Sequence, residues 1–103
     1  MAHEVIFAPE ALADLASLYD RIAGDASPER ALAYVERLQR YCLAFATFPE
    51  RGMRRDELRP GLRTIGYRRR VTIAFHVTSE RVIIDRVLYG GRDVEGLLAD
   101  NER

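Results

Sequence analysis

Residues 71–91 read VTIAFHVTSERVIIDRVLYGG. Val71, Ile73, Phe75 and Val77 alternate with Thr72, Ala74, His76 and Thr78, the period of a half-buried strand. Thr78-Ser79-Glu80 is a tight connection, and Arg81 to Tyr89 is apolar on both faces, as a central strand is. Gly90-Gly91 breaks it. Strands joined by so short a link pair antiparallel. Upstream, Pro60-Gly61 is a turn dipeptide and Leu62 to Tyr67 is another candidate strand. The spacing therefore predicts an antiparallel meander, and such a sheet needs a cover.

The first half of the chain supplies it. His3 to Phe7 reads as a short strand. Pro9 opens a helix at the first-turn position, where its missing N–H is harmless. Ala8 is a poor cap, so packing must fix this start. Leu12, Leu15, Leu18, Tyr19 and Ile22 recur at helical spacing, and Gly24-Asp25 is the stop. Ser27-Pro28-Glu29 opens a second helix with a cap, a first-turn proline and an acid at the positive end of the dipole. Its stripe is Leu32, Val35, Leu38, Cys42 and Phe45, with Tyr34, Tyr41 and Phe48 beside it, and Pro49 ends it. Residues 51–60 read as a polar loop. Asp93 can cap a last short helix through Leu97 and Leu98. The order β-α-α-β-β-β-α predicts one α+β domain over residues 1–103, a two-layer fold with a helical hairpin over one face of a meander sheet.

Composition narrows the chemistry. The chain has 103 residues, 31% charged, with a formal net charge of zero. All 16 cationic side chains are Arg, so no lysine amine is available as nucleophile or acid. One cysteine, Cys42, excludes an internal disulfide and a multi-cysteine metal site. His3 and His76 match no zinc spacing. Phosphate-loop, dinucleotide, zincin and serine-hydrolase motifs are missing. No catalytic residue, metal or cofactor is expected. No run approaches a membrane span, and Met1 to Phe7 has no signal-peptide pattern, so a cytoplasmic protein is expected.

Charge is unevenly spread. Residues 51–70 hold eight Arg against Asp56 and Glu57, an excess of +6, while residues 1–50 carry −4 and residues 71–103 carry −2. Arginine forks suit carboxylate and phosphate. The basic segment is either a surface for an anionic partner or a solvated loop neutralised by the acidic helices. Asp85 and Arg86 interrupt an apolar strand and must point to opposite faces. Strict alternation puts Arg86 with Val82, Ile84 and Leu88, on the open face if the hairpin covers the other, beside Ala74 and His76. The alternative is a buried Asp85 paired to a loop arginine. His76 could act as acid or base, but a half-exposed strand histidine is the simpler reading. Cys42 reads as a small core residue, and Tyr19, Tyr34 and Tyr41 as packing residues.

Several stretches carry a family resemblance. FPERGMRRDELRPGLRTIGYRRRVTIAFHV followed by VIIDRVLYGGRD, preceded by PEALADLASLYDRIA and SPERALAYVERL, resembles the ParE branch of the RelE/ParE toxin superfamily, from about Val5 to Leu98. The most specific pieces are Phe48-Pro49 with Gly52, the run Leu58 to Arg63, and Arg86-Val87-Leu88 ahead of Gly91-Arg92-Asp93. Ala8 stands where the family usually has a polar capping residue. The resemblance implies the fold already read, and the toxin of a type II toxin–antitoxin system, wrapped by a cognate ParD-like antitoxin in a hetero-oligomer. ParE-type toxins are associated with inhibition of DNA gyrase. The alternative is a RelE-like ribosome-dependent mRNA endoribonuclease. This chain lacks the lysines of that branch, and Leu97 to Arg103 holds neither His nor Tyr. Arg63, Arg86 and Tyr89 could be relics of a nuclease site, but arginine is a poor general acid. A third reading is a degenerate, non-toxic binding module.

On the preferred reading the antitoxin lays an acidic amphipathic segment over the hairpin and the open sheet face. Its expected apolar anchors are Leu12, Leu15, Tyr19, Tyr34, Leu38 and Tyr41. Its expected charge partners are Arg59, Arg63, Arg68, Arg70 and Arg86. Target contact is expected at Arg86, Tyr89, Arg92 and Asp93, with DNA reached only through the antitoxin.

Overall fold

The computed structural model describes residues 2–90 and 94–98. Strand β1 (Glu4–Phe7) leads into helices α1 (Pro9–Asp25) and α2 (Pro28–Leu43), a 3-10 turn (Ala44–Ala46), strands β2 (Met53–Arg54), β3 (Arg63–Tyr67), β4 (Val71–Val77) and β5 (Arg81–Tyr89), and helix α3 (Val94–Leu98). The sheet order is β1-β5-β4-β3-β2. The β3-β4-β5 meander is antiparallel, as its short links require. β1 lies parallel to β5, with Val5 opposite Val82, so the sheet is mixed. A helical hairpin separates β1 from the meander and allows this parallel return. The polar loop expected over residues 51–60 contains β2, two residues paired antiparallel to β3.

Each helix start follows its local sequence. Ser27 Oγ accepts the Arg30 backbone N–H at 3.1 Å, a side-chain cap. Ala8 offers none, and its backbone N–H donates instead to Ile84 O at 2.9 Å, so β5 fixes the start of α1. The buried stripe of the hairpin is Ala11, Leu15 and Leu18 from α1 with Ala31, Leu38 and Cys42 from α2. Leu12 and Leu32, expected on those stripes, are each 52% exposed; the inward positions belong to smaller Ala11 and Ala31, which let the helices approach closely. The helical stripe of α2 ends at Leu43, and Phe45 enters the core from the 3-10 turn.

The main core lies between hairpin and sheet, where Leu15, Leu18, Leu38 and Phe45 meet Ile73, Phe75, Val82 and Ile84. Phe45 and Phe75 rings sit 4.8 Å apart, within the aromatic-pair range. A second cluster on the opposite face joins Leu62, Ala74, Leu88 and Leu98, with Leu58 and Val94 against it. The face expected to be open is thus partly covered by α3 and the loop before β3.

A β-bulge explains how β5 serves both clusters. Pairing passes from Ala74 opposite Arg86 to Phe75 opposite Ile84, leaving Asp85 as the extra residue. A bulge shifts the alternation by one. Val82, Ile84 and Val87 therefore join the hairpin core, while Leu88 joins the second cluster. Strict alternation had grouped Arg86 with Val82, Ile84 and Leu88, and the bulge overturns that grouping. Among the described residues no helix is long and apolar enough to cross a membrane.

Candidate functional site

Arg86 is not a free cation on an open face. Its Nε donates to Asp14 Oδ2 at 2.8 Å and its Nη2 to Asp14 Oδ1 at 3.0 Å, a two-pronged pair with α1. Asp14 Oδ2 also accepts the Val87 backbone N–H at 2.8 Å. β1 pairs β5 only as far as Ile84, so the Asp14 carboxylate takes the place of a strand partner further along β5. The carboxylate holds the Arg86 guanidinium above its ordinary pKa, against the opposing effect of partial burial. Arg86 thus ties the hairpin to the sheet.

Asp85 borders one cleft with Arg86 but has different partners. Its Oδ2 lies 2.7 Å from His76 Nδ1 and 4.0 Å from Arg59 Nη2. Its side chain is 16% exposed. The alternative of a buried Asp85 facing a loop arginine is close to what forms, with His76 as the nearer partner. His76 lines a small cleft with Arg59, Pro60 and Leu62.

The basic segment divides between structural contacts and solvent. Arg51 donates to the Phe48 and Ala44 carbonyls and stacks 4.7 Å from the Phe45 ring centroid. Arg54 pairs with Asp56, and Arg55 bridges Glu57 and Glu95. Those contacts raise the Arg55 pKa and lower that of Glu57. Arg63 donates to the Arg51 carbonyl at 3.3 Å and lines a cleft of about 720 Å³ with Phe48, Arg54 and Thr78. Phe48 and Met53, 70% and 63% exposed, leave an apolar patch on this basic edge. Gly52, with φ +76°, brings the chain close to β3: a Cβ there would lie 2.4 Å from Thr64 O.

A different cleft gathers arginines from two elements, α2 and the β3–β4 turn. It measures about 580 Å³ and sits where the end of α1, the first turns of α2, the β3–β4 turn and the end of β5 meet. Arg30, Ala33, Tyr34 and Arg37 line it from α2, the i, i+3, i+4, i+7 stripe of one helix face. Arg70 and Tyr89 form the facing wall, with Ile22 and Ala26 from α1. The Tyr34 hydroxyl is buried with no hydrogen-bond partner among the described residues. Burial pushes its pKa up, with the neighbouring Tyr67 and Tyr89 phenols acting the same way and Arg68 and Arg70 opposing. Arg21 stacks 4.9 Å from the Tyr89 ring centroid. Arg68 lies over Tyr67 and donates to its hydroxyl at 3.3 Å.

The expected anchors separate by burial. Leu15 and Leu38, 4% and 0% exposed, belong to the core, and their side chains cannot meet a partner on the folded surface. Leu12 is exposed, while Tyr19, Tyr34 and Tyr41 are half-buried. Of the charge partners, Arg68 and Arg70 sit at the β3–β4 turn, Arg59 and Arg63 line separate clefts, and Arg86 is engaged by Asp14. Arg92 and Asp93, expected at the target contact and the last helix cap, lie outside the described residues. The relics Arg63, Arg86 and Tyr89 line three different clefts and form no common site. Sequence reasoning missed Arg30 and Arg37, because they lie in the acidic half of the chain; their spacing around Tyr34 was the available signal.

The model of a family described as "ParE toxin of type II toxin-antitoxin system, parDE" matches residues 5–94. No curated protein matches the sequence. Among solved structures, one described as "Chromosomal ParDE TA system from P. aeruginosa" aligns with a TM-score of 0.76 at 24% identity, covering 87% of this chain and 98% of that one. At that identity the likeness concerns the fold.

Proposed function

The chain belongs to the ParE toxin family of type II toxin–antitoxin systems, and from that premise we propose that it acts in the cytoplasm by binding protein rather than by cutting RNA. Its target is DNA gyrase. A ParD-like antitoxin neutralises it within a hetero-oligomer and supplies any contact with DNA. The observation that carries this reading is the dispersal of Arg63, Arg86 and Tyr89. A ribonuclease needs a base for the 2′-hydroxyl, a donor for the leaving oxygen and a phosphate clamp around one reacting atom. Here Arg86 is held by Asp14, and the other two line clefts of their own. The arginines instead front several separate clefts, a distribution suited to wide electrostatic complementarity with an acidic partner.

The Asp85–His76 pair favours the second reading, a RelE-like nuclease, because a carboxylate on Nδ1 fixes an imidazole for base catalysis. One set of assays separates the readings. Purified chain free of antitoxin is added to gyrase, plasmid and ATP, and separately to mRNA with and without ribosomes. The expected result is accumulation of relaxed plasmid, reversed by antitoxin, with intact transcripts. Site-defined mRNA cleavage that disappears in His76→Ala would replace this reading with the nuclease. Induced expression without growth arrest would make the chain a non-toxic binding module.

A further inference from the structure

We propose that the cleft between the α1–α2 corner and the β3–β4 turn is a trough for an acidic peptide segment that carries an apolar side chain. The proposal rests on the protein-binding reading above and sharpens it, by naming one site and the chemistry of what it receives.

Charge comes first. Arg30, Arg37 and Arg70 line the trough, and no acidic side chain is among the described residues lining it. Other arginines do meet carboxylates of the chain itself, as Arg54 meets Asp56, Arg81 meets Glu4 and Arg86 meets Asp14. Three guanidinium groups around one concave surface call for carboxylates or phosphates from outside.

Placement decides between those two. Arg30 and Arg37 are separated by seven residues of α2, about 10 Å along the axis, with Tyr34 between them. Arg70 stands on the opposite wall. A single phosphate is held by forks converging on one point, whereas these are strung along two walls. Carboxylates spaced along a peptide match that spread. Among the lining side chains Ile22 and Ala26 with the Tyr34 and Tyr89 rings suit an apolar side chain. The Tyr34 ring lines the cleft while its hydroxyl is buried, with no partner among the described residues.

The turn adds a second observation. Arg68 and Arg69 have φ of 52° and 64°, left-handed geometry that glycine or asparagine adopts more easily. Three successive arginines therefore occupy a hairpin tip that a neutral Asn-Gly would close with less strain. The charge of Arg68, which reaches the Tyr34 phenol, is among the properties such a replacement would remove.

The test uses the whole purified chain and a short peptide alternating glutamate with leucine, acetylated and amidated so that only its side chains are charged. Titration followed by amide and arginine Nε resonances should move Tyr34, Arg37, Arg70 and Tyr89 together. Binding should weaken with added salt, and Arg37→Glu or Arg70→Glu should each lower affinity roughly tenfold or more. Arg81→Glu, paired with Glu4 elsewhere on the sheet, should leave it unchanged. The same peptide with glutamine for glutamate should not bind. Absence of binding, shifts confined to other clefts, or unaltered affinity in both trough variants overturns the proposal. Preference for ATP over the peptide also overturns it, making the trough a phosphate site. If the trough stays empty while the chain still inhibits gyrase, only this proposal falls. If it fills while gyrase and growth are unaffected, the toxin reading falls instead.

Discussion

Asp14 and Arg86, 72 positions apart, form the two-pronged ion pair that locks the first helix to strand β5. The same carboxylate accepts the Val87 backbone N–H, so one side chain answers two otherwise unpaired groups. The sequence shows Asp14 only as a polar position between Ala11 and Leu15 on an amphipathic helix, and Arg86 as an intruder in a strand. Their meeting depends on two tertiary facts, the end of β1 at Phe7 and the bulge at Asp85.

Asp14→Ala should therefore destabilise the fold by roughly 3 kcal/mol, since it strands a partly buried guanidinium and a strand N–H. In an Arg86→Met background the same change removes only the backbone hydrogen bond, about 1 kcal/mol. Urea unfolding of the four proteins measures both. Equal losses in the two backgrounds would mean that the ion pair contributes nothing.

Gly52 is a local constraint with a sharp consequence. Its φ of +76° disfavours any side chain, and a Cβ would meet Thr64 O at 2.4 Å. Gly52→Ala should cost roughly 2 kcal/mol and detach β2 from β3. Amide exchange at Met53 and Arg54 should rise more than exchange in β4 and β5.

How much the sequence revealed can be judged from particular residues. Alternation at Val71 to Val77 and Ser27-Pro28 at the second helix start are local signals that appear where their own chemistry places them, whereas the first helix runs through Gly24 and Asp25 to a cap at Ala26. Faces of β5 were not legible, because a bulge changes alternation without marking the sequence. Leu15 and Leu38 stand on the helical stripes and also among the expected antitoxin anchors; periodicity locates a stripe but not what covers it, and here the core takes both. The Arg30–Tyr34–Arg37 stripe was hidden by summing charge over segments, when the surface is assembled across segments.

Titration should expose two parts of the fold at opposite ends of the pH scale. Cys42 lies wholly buried, and desolvation pushes its thiol up to about 12 from 9.0. A raised acid leaves stability complete below the unfolded value and erodes it as pH climbs toward the folded one. Melting temperature should therefore fall above pH 9, and less so in Cys42→Ala. Thiol reagents at neutral pH should react only with unfolded chain. Asp56 shows the reverse: the Gly61 backbone N–H, and then the Arg54 charge, hold its carboxyl below 3.8. Its contribution is complete above that value and is lost as pH drops below it. The advantage of the native chain over Asp56→Asn in melting experiments should shrink in acid.

The β3–β4 turn offers a prediction in which stability and binding move in opposite directions. Arg70 N–H donates to the Tyr67 carbonyl at 3.3 Å, and Gly90 N–H to the Arg70 carbonyl at 2.8 Å, so this tip is tied to the end of β5. Between those ties Arg68 and Arg69 both hold positive φ, as the two central residues of an Asn-Gly type turn do, within a three-residue connection from Tyr67 to Val71. Replacing them with Asn and Gly should stabilise the protein by roughly 1–2 kcal/mol, the strain of two side chains in the left-handed region. The same change deletes two charges beside the trough and the stacking of Arg68 on Tyr67, so affinity for the acidic peptide should fall as the melting temperature rises. A double variant that gains stability and binds as before would place Arg68 and Arg69 outside the electrostatics of the trough, leaving Arg30, Arg37 and Arg70 as its charged wall.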